Sequence, residues 1–307
     1  MHDETPRHPV PELPGGRHLE LPDRGTTFVR EDGPTPGSRS GPVSDLPLVL
    51  LHGWTATADL NWFRVYAPLG AAHRFVALDH RGHGLGIRSR RPFSFEDCAD
   101  DAMAVCDELG FDEVVVVGYS MGGPVALETW RRHRDRVRGL VLCATAPHFA
   151  DSREERLNFL GLSGLAAISR ATPTRARAWL TEQLYLQRRV EGWEPWAVEQ
   201  VSHHDWRMIL EAGRCIGEFS ARPWLHEIDA PTAVVLTMRD EIVPIRRQIE
   251  LFDGIDGATA HRVDGGHDSV VAKADTFAPT LLDAIASVQR RVRLRPDGLD
   301  LPDTAAS

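Results

Sequence analysis

The chain has 307 residues, enough for one large domain or a core with an insertion, and 42% apolar content supplies a sizeable interior. Charged residues make up 26%, and the formal net charge of -9 disfavours a general electrostatic grip on nucleic acid or on an anionic membrane. Small neutral ligands suit that balance better.

Residues 1–17 and 293–307, rich in Pro, Gly and charge, are expected to be disordered tails. The N-terminal stretch lacks the apolar core of a secretory signal, and no run of about 18 apolar residues occurs. A cytoplasmic chain without stable membrane insertion is expected. "HLEL" and "TTFVRED" predict an antiparallel hairpin at a sheet edge, joined by the Pro/Gly/Ser stretch 33–47 to the first parallel strand. From "LPLVLLHGW" onward come short apolar runs separated by helix-length amphipathic segments: "RFVALDHRGHG", "EVVVVGYS", "VRGLVLCAT", "TAVVLTMRD" and "ATAHRV". Continuous rather than alternating apolarity predicts parallel strands covered by helices on both faces.

Ser94 and Asp97 stand in capping-box positions and Gly110 in a terminating one, so a helix is predicted between them, with Cys98, Ala102, Val105 and Leu109 inward. A second helix follows Ser120 directly, from Met121 to about His133. Between about Ala146 and Leu225 the alternation stops and helical segments alone are visible. The core is therefore expected over 18–146 and 226–292, with a helical cap over 147–225 that carries Trp179, Trp193, Trp196, Trp206 and Trp224. Cys98, Cys106, Cys143 and Cys215 sit singly, which indicates neither a zinc site nor a disulfide framework. No metal and no cofactor are expected.

A buried strand that runs into a glycine-fenced serine, "VVVVGYSMGG", has a chemical reason. Gly118-Tyr119-Ser120-Met121-Gly122 fits GxSxG, a sharp strand-to-helix turn that exposes a nucleophile yet holds it still. The helix after it aims its positive end at negative charge developing nearby.

A serine hydroxyl needs a base, and the base an orienting carboxylate. His267, in a glycine-rich loop past the last strand, is the candidate base. His52, His80 and His83 also follow strands, but they precede the serine in Gly-containing turns and read as structural. His203 and His204 read as surface or cap packing, because adjacent helical residues diverge. Asp240 ends the strand before His267 and is the candidate acid, with Asp264 its competitor at the same sheet edge; Asp229, Asp253 and Asp256 precede their strands and fall at the wrong end. Two backbone N–H donors must face the oxyanion, and those of Met121 and of Trp54, after the bend at Gly53, are expected to supply it.

At this point the chain resembles the α/β-hydrolase fold superfamily, through "HGW" at 52–54, "DHRGHG" at 79–84, "GYSMGG" at 118–123, "RDEIVP" at 239–244 and "GGH" at 265–267, in the family's order. The resemblance implies an eight-stranded, mostly parallel sheet with helices on both faces and a helical cap inserted after the sixth strand. It also implies Ser120 as nucleophile, His267 as base, Asp240 as acid, and the Trp54 and Met121 amides as oxyanion hole. "DHRGHG" maps to a structural turn that Asp79 and Arg81 brace. The acid loop reads "LTMRD", where the family commonly carries a glycine. Ser120 at the elbow removes the aspartate-nucleophile chemistries of dehalogenases and epoxide hydrolases.

The expected activity is serine hydrolysis of a small to medium carboxylic ester through an acyl-enzyme, similar to carboxylesterases and monoacylglycerol-lipase-like proteins. The same triad also serves cofactor-free haloperoxidases or perhydrolases and carbon–carbon bond hydrolases. A ligand-binding, receptor-like protein is the non-enzyme alternative.

Overall fold

The computed structural model describes residues 11–34, 46–152, 154–155 and 194–294. The expected tails over 1–10 and 295–307 and the cap residues 156–193, Trp179 and Trp193 among them, lie outside the described residues.

Eight strands form one sheet: β1 (Gly16–Leu21), β2 (Gly25–Asp32), β3 (Leu48–Leu51), β4 (Phe75–Leu78), β5 (Val114–Tyr119), β6 (Val137–Cys143), β7 (Thr232–Thr237) and β8 (Thr259–Val263). Their order is β1-β2-β4-β3-β5-β6-β7-β8. The hairpin β1–β2 is antiparallel and meets β4 antiparallel, while every pairing from β4 to β8 is parallel. Strand order reverses at β3, whose neighbours β4 and β5 lie on opposite sides of it. Loops that leave β3 and β5 at their carboxyl ends therefore open a crevice between them, the place where such sheets bind ligands.

The four valines of β5 explain the continuous apolar run. Val114 and Val116 join a core on one face with Val49, Leu51 and Leu142, while Val115 and Val117 join the other with Leu48, Leu50 and Val141. Both faces are covered, so no position on the strand faces water. Helices α1 (Ala58–Trp62), α2 (Tyr66–Ala72), α3 (Phe95–Leu109) and α4 (Gly122–Arg132) precede the cap region. Ser94 Oγ accepts from the Asp97 N–H at 3.1 Å to start α3, and Gly110 ends it at φ 65°. Cys98, Ala102 and Val105 are buried as expected, while Leu109 is half-buried.

Between β6 and β7 the described residues contain α5 (Glu194–Ser202) and α6 (Trp206–Glu218), and no strand beyond an isolated bridge from His148 to Ser220. Asp205 caps α6 through the Arg207 and Met208 amides. Met208, Ala212 and Ile216 bury into the same core as Val114 and Val116, so α6 sits on the sheet's helix layer. Then follow α7 (Ile245–Asp253), α8 (Ser269–Ala272) and α9 (Ala274–Leu294).

Three boundaries differ from expectation. The ladder starts at Gly16 opposite Arg30, so β1 takes two residues from the expected tail; a side chain at Gly16 would strike those of Phe28 and Arg30. At the other end α9 runs on to Leu294. Trp224 belongs to the core rather than to a cap, because its ring stacks on Trp130 of α4 at 6.3 Å. The four cysteines are free thiols, three buried and Cys215 half-buried. No described helix is long and apolar enough to cross a membrane.

Candidate active site

Ser120 follows β5 at φ 53°, a left-handed conformation that a side chain adopts only when its surroundings enforce it. Two bonds clamp the turn. The Ser120 N–H donates to Cys143 O at 2.9 Å, and the Thr145 hydroxyl donates to Ser120 O at 2.7 Å. Added bulk at Gly118 would collide with the Gly122 carbonyl, and at Gly122 with the Leu51 carbonyl. The glycines thus let α4 start against both β5 and β3.

His267 lies in the loop between β8 and α8. Its Nε2 is 2.9 Å from Ser120 Oγ, and its Nδ1 is 2.8 Å from Asp240 Oδ2. The Tyr119 hydroxyl donates to His267 O at 2.6 Å, tying the His267 backbone to the residue before Ser120. Asp240 turns inward after β7 without a glycine. Its Oδ1 accepts from the Ile242 and Val243 amides at 2.9 and 2.8 Å, and Oδ2 from the Thr237 hydroxyl at 2.7 Å. Its side chain is wholly buried. Burial works to raise this carboxyl, but the bond and charge of His267, with the Val243 amide and Thr237 hydroxyl, outweigh it and hold the group below its ordinary value. The competitor Asp264 is exposed and pairs with Arg239 at 2.6 Å, away from the imidazole.

The loop after β3 lies beside the elbow: a Cβ built on Gly53 would stand 3.4 Å from Ser120 Cβ. The Gly53 N–H donates to Asn61 Oδ1 at 2.9 Å. Since the His80 amide donates to His52 Nε2 at 2.9 Å, the His52 proton is on Nδ1, which donates to Gly53 O at 2.8 Å. In a trans peptide the carbonyl and the next N–H point opposite ways, so this grip sets the direction of the Trp54 N–H. Among the described residues, neither the Trp54 nor the Met121 amide is paired with an acceptor.

His52, His80, His83 and His204 form one buried group, with ring centroids 4.3 Å apart for His52 and His80, 5.2 Å for His52 and His83, and 5.6 Å for His83 and His204. Burial lowers all four below the ordinary histidine value, His80 to about 3 and His204 to about 4, so they are neutral. The first three are structural as expected. Of the pair read as surface or cap packing, His204 is buried against Gly84 and Thr55, while its neighbour His203 is exposed. Asp79 braces its turn by accepting from the Ala58 and Leu85 amides, each at 2.8 Å. Arg81 does so by gripping Asp101 at 2.7 and 2.8 Å.

Sequence reasoning missed the residues that hold this arrangement. Gln248, fully buried on α7, donates to the Thr237 hydroxyl and to Val243 O, each at 2.8 Å, and accepts from the Thr237 N–H at 3.0 Å. The available signal was an uncharged polar residue in line with Ile245 and Leu251, three residues to either side, on the inward stripe of an amphipathic helix. For Asn61, Thr145 and Thr237 the sequence carries no such signal.

The family model described as the alpha/beta hydrolase fold matches residues 47–274. A Variovorax paradoxus protein that bears a carbamate hydrolase name is 29% identical over 256 residues, covering 81% of this chain and 94% of its own. The 2-hydroxymuconate semialdehyde hydrolase of a Pseudomonas species is 28% identical over 255 residues, covering 78% and 87%. The structure of an esterase from Exiguobacterium antarcticum superposes with a TM-score of 0.72 at 19% identity, covering 89% of this chain and all of that one (100%), and speaks for the fold. With the matched model spanning every segment that builds the site, from the loop after β3 to His267, this chain belongs to the α/β-hydrolase fold family.

Proposed function

We propose that the chain is a serine hydrolase that cleaves a small to medium carboxylic ester through an acyl-enzyme. The observation that carries this reading is the hydrogen-bonded line Ser120–His267–Asp240, at 2.9 and 2.8 Å, beside two unpaired amides. Ser120 Oγ attacks the ester carbonyl as His267 Nε2 takes its proton. Asp240 keeps the Nδ1 proton of His267 in place and stabilises the imidazolium without taking that proton. The Trp54 and Met121 amides hold the oxyanion of the tetrahedral intermediate. Collapse expels the alcohol, protonated by His267. Water, deprotonated by the same imidazole, then attacks the acyl-enzyme and releases the acid and Ser120.

Hydrolysis of p-nitrophenyl esters from acetate to decanoate, with wild type and Ser120→Ala in parallel, tests the reading. Expected is turnover that Ser120→Ala abolishes, together with labelling of Ser120 by a fluorophosphonate. Wild type that neither turns over any ester nor takes the label would overturn it. A second reading, carbon–carbon bond hydrolysis by the same three residues, is favoured by the relative named for a semialdehyde. It predicts turnover of vinylogous diketones with weak activity on plain esters.

A further inference from the structure

The loop that carries the Trp54 amide is held from two sides, and one of them is the cap segment. From the core, Asn61 grips the Gly53 N–H and His52 grips Gly53 O. From the other side, Ile209 O of α6 accepts from the Trp54 indole Nε1–H at 2.8 Å, and His204 Nε2 lies 3.2 Å from Thr55 O. The Gly84 N–H donates to His204 Nδ1 at 2.8 Å. That nitrogen is therefore an acceptor, the ring proton sits on Nε2, and Nε2–H donates to Thr55 O. Thr55 has φ 59°, a conformation that a threonine keeps only when its neighbours hold it there.

His204 is itself firmly seated. Asp205 N–H donates to Gly82 O at 2.8 Å, and Arg88 bonds His203 O. Gly82, at φ 77°, leaves room for Met208 of α6, which a side chain there would strike. The DHRGHG turn is thus the docking platform of this segment, and His204 carries that docking through to the loop beside Ser120.

We infer that His204 is a positioning residue: through Thr55 O it fixes the loop that aims the Trp54 amide at the oxyanion, coupling cap seating to stabilisation of the transition state. The inference rests on the serine-hydrolase reading. His204→Asn keeps an acceptor where Nδ1 meets Gly84 but does not reach Thr55. His204→Gln reaches Thr55 with a donor. Both are tested in the full chain with p-nitrophenyl esters, alongside thermal unfolding and the 1H–15N resonance of the Trp54 amide.

Expected for His204→Asn is a fall in kcat of about tenfold with KM within about twofold, part of the ~10²–10³ lost when an oxyanion donor is removed outright. Its Trp54 amide resonance shifts. His204→Gln returns kcat and the resonance toward wild type. Wild-type kcat and an unmoved resonance in His204→Asn overturn the inference, as do equal losses in both variants that follow the unfolding temperature. If wild type shows neither ester turnover nor fluorophosphonate labelling, the serine reading fails, and the resonance alone then decides the positioning role: a shift in Asn reversed by Gln sustains it, and equal spectra overturn it.

Discussion

The two halves of the site are anchored in different parts of the molecule. Asp240 and His267 draw their hydrogen bonds from strand ends and from α7: the Thr237 hydroxyl, the Ile242 and Val243 amides, Gln248 and Tyr119. The loop after β3 shares its holders between the core and the cap segment, with His204 and Ile209 on one side and His52 and Asn61 on the other. Asp240 and His267 are thus held from the core alone, whereas the loop with the Trp54 amide is held also by the segment that carries His204 and Ile209. On the serine-hydrolase reading, a site built this way keeps its proton-transfer pair while the fit of the Trp54 loop changes with that segment.

The contrast breaks most sharply at the core-held half. Asp240→Asn keeps the shape but favours the wrong imidazole tautomer, and kcat should fall about 10⁴-fold, about 5 kcal/mol of barrier, with KM little changed. Ester kinetics with an unfolding control check it. Survival of more than a tenth of the activity would place the acid elsewhere.

The next effect concerns the buried histidine group of His52, His80, His83 and His204. Their folded values lie below the ordinary 6.5, so they stay neutral in the fold while the unfolded chain takes up protons as pH falls below about 6.5. Stability rises with pH wherever the unfolded state binds more protons, so their contribution is present above 6.5 and is lost progressively as pH falls below it. Asp79 runs the other way. Burial pushes it to about 7 from 3.8, so the folded state holds its extra proton between those values. Four histidines against one carboxyl leave the unfolded state binding more protons near pH 5, so stability falls as pH drops from 7 to 5. Urea midpoints between pH 7 and 5 measure this, and a flat profile would sink it.

Packing at the elbow comes third. Gly122→Ala drives a methyl into the Leu51 carbonyl, with an expected loss of about 1–3 kcal/mol in urea unfolding. An unchanged midpoint would show that α4 can yield there. The smallest effect is Trp54→Phe, which keeps the apolar ring but loses the bond to Ile209 O. A kcat reduced about fivefold, equivalent to about 1 kcal/mol, is expected, and an unaffected kcat would show that the indole bond to Ile209 does not hold that loop.

The parts of this arrangement that depend on local chemistry were legible in the sequence. Ser94 and Gly110 mark the ends of α3 because caps are local, and the valines of β5 mark a doubly covered strand because alternation vanishes when both faces bury. Ser120, Asp240 and His267 could be placed because each follows a strand at the same sheet edge. The hidden parts depend on contacts distant in sequence. Trp224 reads as another cap tryptophan until Trp130 is seen beneath it, and which core groups His204 meets is hidden until Gly84 and Thr55 close around it. Gln248 supports the acid loop through side-chain bonds that no spacing rule anticipates.

The bond from the Tyr119 hydroxyl to His267 O has a consequence for engineering. The residue next to Ser120 serves as the latch for the loop that carries His267, so that loop is not a detachable module. A β8–α8 loop transplanted from a relative would carry its histidine but leave the latch behind, and register would be kept only where residue 119 can still donate. Chimeras of this chain are best cut so that the elbow and the base loop travel together.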